Sequence, residues 1–366
     1  MWTAQPGGGS GRSPDQRVMA RSSGKTVVGL DIQPGYVAAV EGRSGQVAVE
    51  RAASAPLAPG IVRDGEVVDV ETLASVLRDM FAEHKLGRRV RLGVANHRIV
   101  MRTVDLPPLE SAKEITSAVN FQAQEHIPMP LEQAVLEHHS LGLVETADGP
   151  RTRVVLVAAR REMVDRLLEA TRKAGLRPQG IDLSAFAMIR ALHHPGTTGA
   201  TLYISVGGIT NLAVAMGSTC VFTRVLAHGT ESMAGELAER RGLTLEHANG
   251  WLKHVGLLET VATVDGDPDI VTEARSVLVD GVRRISDELR NSLDFHAMQA
   301  GASGVERAIL TGAASAIPGF ADQLGEELGR PVSVGAVLEG KPGGFGGIDA
   351  GRLAVAAGLT VTEVPA

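Results

Sequence analysis

The chain has 366 residues, of which 44% are hydrophobic and only 3% aromatic, and its formal net charge is −6. This length favours two compact lobes over one, and the scarce aromatics and acidic balance exclude nucleic acid as the expected partner. The single cysteine, Cys220, lies in an apolar run. It excludes an internal disulfide, fits a reducing cytoplasm and is predicted to be a buried hydrophobic residue rather than a nucleophile.

The first residues of the chain are rich in Gly, Ser, Pro and Arg and contain no apolar run of signal-peptide length. We predict a disordered N-terminal tail over 1–23. No later run approaches the roughly 18 uninterrupted apolar residues that a membrane helix needs. We therefore expect no direct membrane insertion.

The first predicted lobe comprises residues 24–97 and 178–199 together with the C-terminal 350–366. Pro34-Gly35 fits the centre of a type II turn, where glycine accepts the positive φ. The elements predicted for this lobe are a buried strand at 26–32, strands at 36–41 and 46–52, a helix at about 71–86, a strand at 90–94 and a helix at 184–194.

Residues 98–177 form a predicted inserted subdomain of β-α-β-β-α order. Ser111 and Glu114 have the spacing of a capping box for its first helix. We expect its two helices to cover one face of its sheet. The predicted elements are a strand at 98–105, a helix at 110–126, strands at 134–143 and 152–159 and a helix at 161–174.

The second predicted lobe spans 200–349 and opens with the pattern that opened the first. Its predicted elements are strands at 201–207, 210–216 and 219–227, helices at 231–241, 244–256 and 271–300, a strand at 306–311, a helix at 320–328 and a strand at 331–335. A closing helix and strand are predicted from about 350 to 362, back in the first lobe.

A weak internal repeat relates the two lobes by one constant offset. It aligns Asp31 with Ser205 and Tyr36 with Thr210, and each copy contains a strand, a tight turn and a second strand. The alternative is that two unrelated β-meanders share this pattern. Two similar lobes that face each other create a cleft, and glycine at a hairpin turn lets backbone N–H groups approach phosphate closely.

The order and spacing of several segments resemble the actin, Hsp70 and sugar-kinase superfamily, most closely its bacterial branch of PilM and FtsA proteins. The segments are GLDIQPGYVAAVE, SAVNFQAQEHIPMP, LYISVGGITNLAVAMGS, FTRVLAHG, RAILTGAASAIPGF and RLAVAAGLTV. The resemblance extends from Val27 to Thr362. It implies an α/β, actin-like (ribonuclease H-like) fold with two duplicated lobes and an inserted β-α-β-β-α subdomain.

The nucleotide positions implied by the resemblance are altered in this chain. Gln33 stands where the family has Gly, Ser205 where it has Asp and Ala313 where it has a second Gly. The full set of candidate positions is Asp31, Gln33, Ser205, Gly207, Gly208, Thr210, Lys253, Gly312 and Ala313. Lys253 is also open to interpretation as a solvated surface lysine, and Asp31 is the candidate Mg²⁺ ligand.

These changes oppose efficient hydrolysis, because Ser205 brings no negative charge to a metal and the side chain of Gln33 obstructs phosphate. We therefore predict no catalytic residue and weak or absent ATPase activity, and we leave the binding of ATP with Mg²⁺ open. Backbone N–H groups at 207–210 and a helix N-terminus could still bind phosphate.

The resemblance implies a cytoplasmic scaffold of the type IV pilus, or of a related secretion machine, held at the inner membrane through partners. In the PilM family the partner is the cytoplasmic N-terminal peptide of the membrane protein PilN, which lies in a groove beside the inserted subdomain, and other pilus assembly proteins are expected too. Alternatives are an active actin-like ATPase that switches lobe closure and an FtsA-like division protein. The first needs intact Asp-x-Gly turns and the second a basic amphipathic C-terminal helix, whereas this chain ends GLTVTEVPA.

Overall fold

The computed structural model describes residues 26–43, 47–109, 111–147, 149–299, 302–337 and 347–361. The predicted tail at 1–23 lies outside the described residues. The strands are β1 (Thr26–Gln33), β2 (Tyr36–Arg43), β3 (Arg51–Pro56), β4 (Val62–Arg63), β5 (Glu66–Val67), β6 (Arg89–Val94), β7 (Val100–Leu106), β8 (Ala134–Thr146), β9 (Gly149–Arg160), β10 (Arg177–Leu183), β11 (Ala200–Val206), β12 (Thr210–Met216), β13 (Thr219–Leu226), β14 (Val305–Thr311) and β15 (Val332–Val334).

The helices alternate with these strands along the chain. They are α1 (Val70–Glu83), α2 (Ala112–His126), α3 (Arg161–Lys173), α4 (Ser184–Leu192), α5 (Thr230–Arg241), α6 (Leu245–Val255), α7 (Pro268–Ala297), α8 (Phe320–Leu328) and α9 (Ala354–Leu359). Short 3₁₀ turns occur at Leu131–Gln133, Val261–Thr263, Ala313–Ala316 and Ala350–Leu353. No helix in the described ranges is long and apolar enough to cross a bilayer.

Two five-stranded sheets repeat the same topology. The first has the order β3-β2-β1-β6-β10 and the second the order β13-β12-β11-β14-β15. In each sheet, the central strand (β1 or β11) pairs with its hairpin partner in antiparallel register. On its other side it pairs in parallel register with β6 in the first sheet and with β14 in the second. β1 and β11 are buried along almost their whole length, as expected for central strands. The predicted duplication is therefore confirmed strand for strand.

The two opening hairpins differ by one residue at the turn. In the first hairpin Gln33 pairs with Tyr36, so only Pro34 and Gly35 form the turn, and the predicted positive φ is present at Gly35 (85°). In the second hairpin Val206 pairs with Thr210, which leaves three residues in the turn. Gln33 thus belongs to a strand, whereas its counterpart Gly207 belongs to a turn.

The inserted subdomain, β7 to α3, is a three-stranded sheet of order β7-β9-β8 that is covered on both faces. Val154, Leu156 and Ala158 of β9 pack in one cluster with α2, while the alternate residues Val155, Val157 and Ala159 join the core of the first lobe with α3. The expectation that both helices cover one face was wrong. The period of two along a fully buried strand supplies an apolar surface to each side.

Most other predicted elements were confirmed with shifted ends, and some elements were missed. The strand predicted to follow the closing helix is not formed within the described residues, where α9 ends at Leu359. The capping box is present, with Ser111 Oγ accepting from Glu114 N (3.2 Å) and Ser111 N donating to Glu114 Oε2 (3.3 Å). The strand predicted at 46–52 forms instead at β3. β10 was missed because Pro178 and Gly180 disfavour a strand, and the register shifts between them where β10 pairs with β6.

Helix α9 is packed tightly between the first sheet and α4. A methyl group on Gly358 would lie 1.8 Å from the Ala187 carbonyl oxygen, and one on Gly29 would lie 1.9 Å from that of Ala356. Both helices and the strand therefore approach one another through backbone atoms. The C-terminal segment cannot be displaced without opening the core of the first lobe.

We expect Gly358→Ala to destabilise the protein by about 1–3 kcal/mol or more, because the added methyl group forces α9 away from α4. The matched control is Gly235→Ala in α5, where nothing lies within 4 Å of the new methyl group. This change should instead stabilise the helix by about 1 kcal/mol. Urea unfolding curves measure both effects, and equal free energies for the two variants would contradict the packing argument.

Candidate functional site

The tips of the two opening hairpins meet at the interface between the lobes. A methyl group on Gly208 would lie 2.0 Å from the Pro34 carbonyl oxygen, and one on Gly207 would lie 2.7 Å from the Tyr36 hydroxyl. The first turn therefore touches the second turn directly. Only residues without a side chain allow this approach on the second hairpin.

Asp31 lies beneath this contact, at 2% exposure. The Gln33 side-chain amide donates to both carboxylate oxygens, Oδ1 at 3.1 Å and Oδ2 at 3.2 Å. Burial raises the pKa of the Asp31 carboxyl to about 6, and the hydrogen bond from Gln33 offsets part of this rise. Two of the predicted site residues thus pair with each other.

The second hairpin contributes uncharged groups. Ser205 is buried in β11 between Asn211 of β12 and Thr311 of β14. The Thr210 hydroxyl donates to the His228 carbonyl (2.7 Å), and Thr230 N at the start of α5 donates to the Gly207 carbonyl (2.7 Å). The N-terminus of α5 is thus close to the turn, as a phosphate-binding helix would be, but one of its first N–H groups is already satisfied.

The turn that contains the candidate positions Gly312 and Ala313 adjoins the second hairpin. Gly312 has a φ of 86°, and a methyl group there would lie 2.5 Å from the Val206 carbonyl oxygen. Gly312 N donates to the Gly351 carbonyl (3.2 Å), and Ala313 is buried. The structure thus brings Gly312 and Ala313 close to the second hairpin, as the resemblance implied.

Lys253 is in α6 and its ammonium forms an ion pair with Asp349. Its side chain is 37% exposed, so it is neither a free surface lysine nor a buried one. Sequence reasoning did not single out Asp349, nor Arg352, whose guanidinium lies 4.6 Å from the centre of the Tyr36 ring. Tyr36 is one of only two tyrosines in the chain, and an aromatic residue at the turn was the available signal.

The residues of this cleft do not fit ATP and Mg²⁺ in the arrangement described. The first turn takes up the space between the hairpins, so a phosphate chain would have to displace Pro34 and Tyr36 from the second turn. The Asp31 carboxylate is bonded to Gln33 instead of facing an open position. Within the described ranges, no group of three or more His, Cys, Asp or Glu side chains could hold a metal ion.

A second candidate site is a small cavity of about 80 Å³ where the first lobe, the linker to the inserted subdomain and the second lobe meet. Asn211 is only 2% exposed there, and within the described structure neither its Oδ1 nor its Nδ2 has a hydrogen-bond partner. Buried polar atoms are usually satisfied, so this amide points to a bound polar group or water. The lining residues are Val94, Ala95, Asn96, His97, Ile99, Leu183, Ala185, Asn211, Thr223, Arg224 and Val225.

A model of the family described as type IV pilus assembly protein PilM matches residues 29–340. The chain belongs to the PilM family. A chain of the solved PilM–PilN type IV pilus biogenesis complex is 28% identical, with a TM-score of 0.74, over 91% of this chain and 97% of that one. The type IV pilus family assignment drawn from the motifs is therefore confirmed.

Two more distant structures share the fold of this PilM-family chain. EutJ, the ethanolamine utilization protein of Carboxydothermus hydrogenoformans, is 15% identical with a TM-score of 0.53, over 92% of this chain and 89% of that one. MreB5 of Spiroplasma citri bound to ADP is 13% identical with a TM-score of 0.51, over 91% and 94%. At these identities the similarity shows the fold alone, and it confirms the predicted actin-like architecture.

Asp31→Asn is expected to stabilise this PilM-family protein at neutral pH. Because the pKa of Asp31 is raised from 3.8 to about 6, the folded state of the natural chain loses stability as pH rises between these values. Removing the charge should gain on the order of 2–3 kcal/mol at pH 7 and nothing below the unfolded pKa. Urea unfolding at a series of pH values measures this gain.

The exposed Asp79→Asn is the control for that series. Its effect should stay small throughout the series, because exposed surface substitutions typically change stability by at most about 0.5 kcal/mol. If the effect of Asp31→Asn did not change with pH, the pKa of Asp31 would be the same in the folded and unfolded states, and the argument from burial would be wrong.

Proposed function

We propose that this protein is a cytoplasmic scaffold of the inner-membrane complex that assembles the type IV pilus, or a related secretion machine. It binds the N-terminal cytoplasmic peptide of a PilN-like membrane protein and is held at the membrane through this and other assembly proteins. The observation that carries the proposal is the 28% sequence identity of this chain, over 91% of its length, to a chain from a PilM–PilN complex.

Two unpaired sheet edges support a peptide groove beside the inserted subdomain. Among the described strands, β7 pairs only with β9, and β13 pairs only with β12. β7 and β13 lie next to each other, where the proposed subdomain 98–177 meets the proposed second lobe 200–349. An extended peptide can add to such an edge through backbone hydrogen bonds.

The cavity at Asn211 supports a polar anchor at the end of this groove. Two other polar side chains of the cavity are satisfied within the protein: the Asn96 amide donates to the Asp64 carbonyl (2.6 Å), and the Thr223 hydroxyl donates to the Leu212 carbonyl (2.8 Å). Asn211 therefore has a free donor and a free acceptor side by side. That pair complements a peptide unit, which offers one N–H and one C=O group.

We expect Asn211→Leu to weaken binding of the partner peptide at least tenfold, a loss of about 1.4 kcal/mol. The melting temperature should be retained, because the change removes two buried polar atoms that lack partners. Fluorescence anisotropy with labelled N-terminal peptides of neighbouring single-span membrane proteins measures the affinity.

Ser286→Ala is the matched control, because the Ser286 hydroxyl is also buried without a hydrogen-bond partner in the described chain, but lies on α7 away from the cavity. It should bind peptide like the natural protein. Full affinity in Asn211→Leu would place the peptide elsewhere and leave ordered water as the partner of Asn211. Failure of the natural protein to bind any such peptide would contradict the scaffold proposal.

We further propose that the nucleotide cleft is degenerate. What supports this is the combination of Ser205 in place of an acidic residue, the Gln33 amide on both oxygens of Asp31 and the direct contact of Pro34 with Gly208. Phosphoryl transfer depends on positioned charges and Mg²⁺, and losing one positioned group typically costs several kcal/mol of transition-state stabilisation.

The purified protein should release phosphate from Mg-ATP no faster than a buffer blank, and Asp31→Ala should not change that rate. A coupled phosphate assay measures the release, with added peptide in a second series. Steady turnover that Asp31→Ala abolishes would contradict the degenerate cleft. It would favour instead an actin-like ATPase that uses nucleotide to switch lobe closure.

A further inference from the structure

A series of side-chain contacts crosses the cleft from the first lobe to the second. The Arg352 guanidinium stacks over the Tyr36 ring, 4.6 Å from its centre. Arg352 Nε lies 3.6 Å from Asp349 Oδ2, and the same carboxylate oxygen forms an ion pair with Lys253. Because Tyr36 belongs to β2 and Lys253 to α6, these contacts join the two lobes.

Tyr36 is buried, at 4% exposure, although it stands beside a turn. Its hydroxyl reaches Gly207 of the second hairpin, in the space between the two turns. Burial and the neighbouring Asp31 carboxylate raise the pKa of Tyr36, so the phenol is neutral at physiological pH. A neutral ring face and a guanidinium form a favourable cation–π pair, which is strongest where water is excluded.

Glu231 makes a second contact across the cleft. It is in the first turn of α5, and a methyl group on Gly35 would lie 2.2 Å from its Oε2. A carboxylate is favoured at a helix N-terminus, where a phosphate would also be favoured. Burial raises the pKa of the Glu231 carboxyl, and the nearby Arg352 guanidinium offsets part of this rise. The chain thus supplies its own anion and cation to the cleft.

We propose that Tyr36, Arg352, Asp349 and Lys253 form a latch that holds the two lobes closed without nucleotide. Tyr36 and Glu231 occupy the space between the hairpin turn and the N-terminus of α5. Arg352, from the C-terminal segment, holds the Tyr36 ring in place by stacking on it. Lobe closure is then a fixed property of the scaffold and not a response to a ligand. This inference goes beyond the proposed function, because a scaffold could bind its peptide with open or closed lobes.

The C-terminal segment that carries Arg352 and Asp349 of the latch contacts both lobes. The Gly351 carbonyl accepts from Gly312 N and from the Thr311 hydroxyl, both at 3.2 Å, which ties the segment to the second lobe. Helix α9, which follows directly, is packed against β1 and α4 of the first lobe. Arg352 and Asp349 therefore belong to a segment that connects the two lobes.

The latch is tested by measuring the distance between spin labels on the two lobes of the full chain. Glu83→Cys in α1 and Glu239→Cys in α5 place labels at exposed positions of each lobe. The natural Cys220 is buried, and burial raises its pKa to about 12, so it resists labelling. The labelled protein should give one narrow distance peak that Mg-ATP does not shift.

Arg352→Met and Tyr36→Ala, each in the labelled background, should add a second population at longer distance. Arg352→Met keeps the aliphatic packing, so it remains informative if Tyr36→Ala fails to fold. Arg283→Met, at an exposed arginine of α7 in the second lobe, is the matched control and should leave the peak unchanged.

Two results would overturn the latch. One is a broad distribution in the natural sequence that Mg-ATP narrows, because nucleotide would then close the lobes. The other is an Arg352→Met distribution that matches the unsubstituted protein. Neither result depends on peptide binding, so the outcome is distinguishable from a failure of the scaffold proposal.

Discussion

The direct contact between the two hairpin turns is the constraint on which the rest of the cleft depends. Pro34 can reach Gly208 because the second turn carries no side chain there and because the first turn is shorter by one residue. The shorter turn keeps Gln33 in the strand, where its amide satisfies both oxygens of Asp31. It also places Tyr36 at the interface, where the ring is buried. The Asp31 carboxylate is thereby retained in the interior beside a neutral amide, at the cost of a raised pKa.

The C-terminal segment gives this contact its mechanical support. Close backbone packing at Gly29 and Gly358 holds α9 in the first lobe, while the Gly351 carbonyl accepts a hydrogen bond from Gly312 N in the second lobe. Arg352 and Asp349 extend from the same segment toward Tyr36 and Lys253. The contact between the lobes and the packing of the C-terminal segment are therefore coupled, and a substitution at either should disturb the other.

The second hairpin faces both candidate sites. Ser205 lies on the cleft strand β11, and its partner in the ladder, Asn211, contributes its amide to the cavity beside β7 and β13. The cleft is crowded and internally bonded, whereas the cavity keeps an unsatisfied amide and two unpaired edges within the described chain. This contrast supports a function in partner binding over one in nucleotide chemistry, as in our proposal.

The sequence by itself determined the family, the duplicated lobes and most of the elements, because buried runs, turn residues and caps are local patterns. It located Asp31, Gln33, Gly207 and Gly312 near one cleft through the repeat and the resemblance. It missed β10, because Pro178 and Gly180 disfavour a strand and β10 forms only through its pairing with β6. It also placed α2 and α3 on one face of their sheet. Only the tertiary structure decided that Tyr36 meets Gly207, that Arg352 stacks on Tyr36 and that Asn211 lacks a partner. These features depend on which residues from distant parts of the chain come together, and no local sequence pattern encodes that.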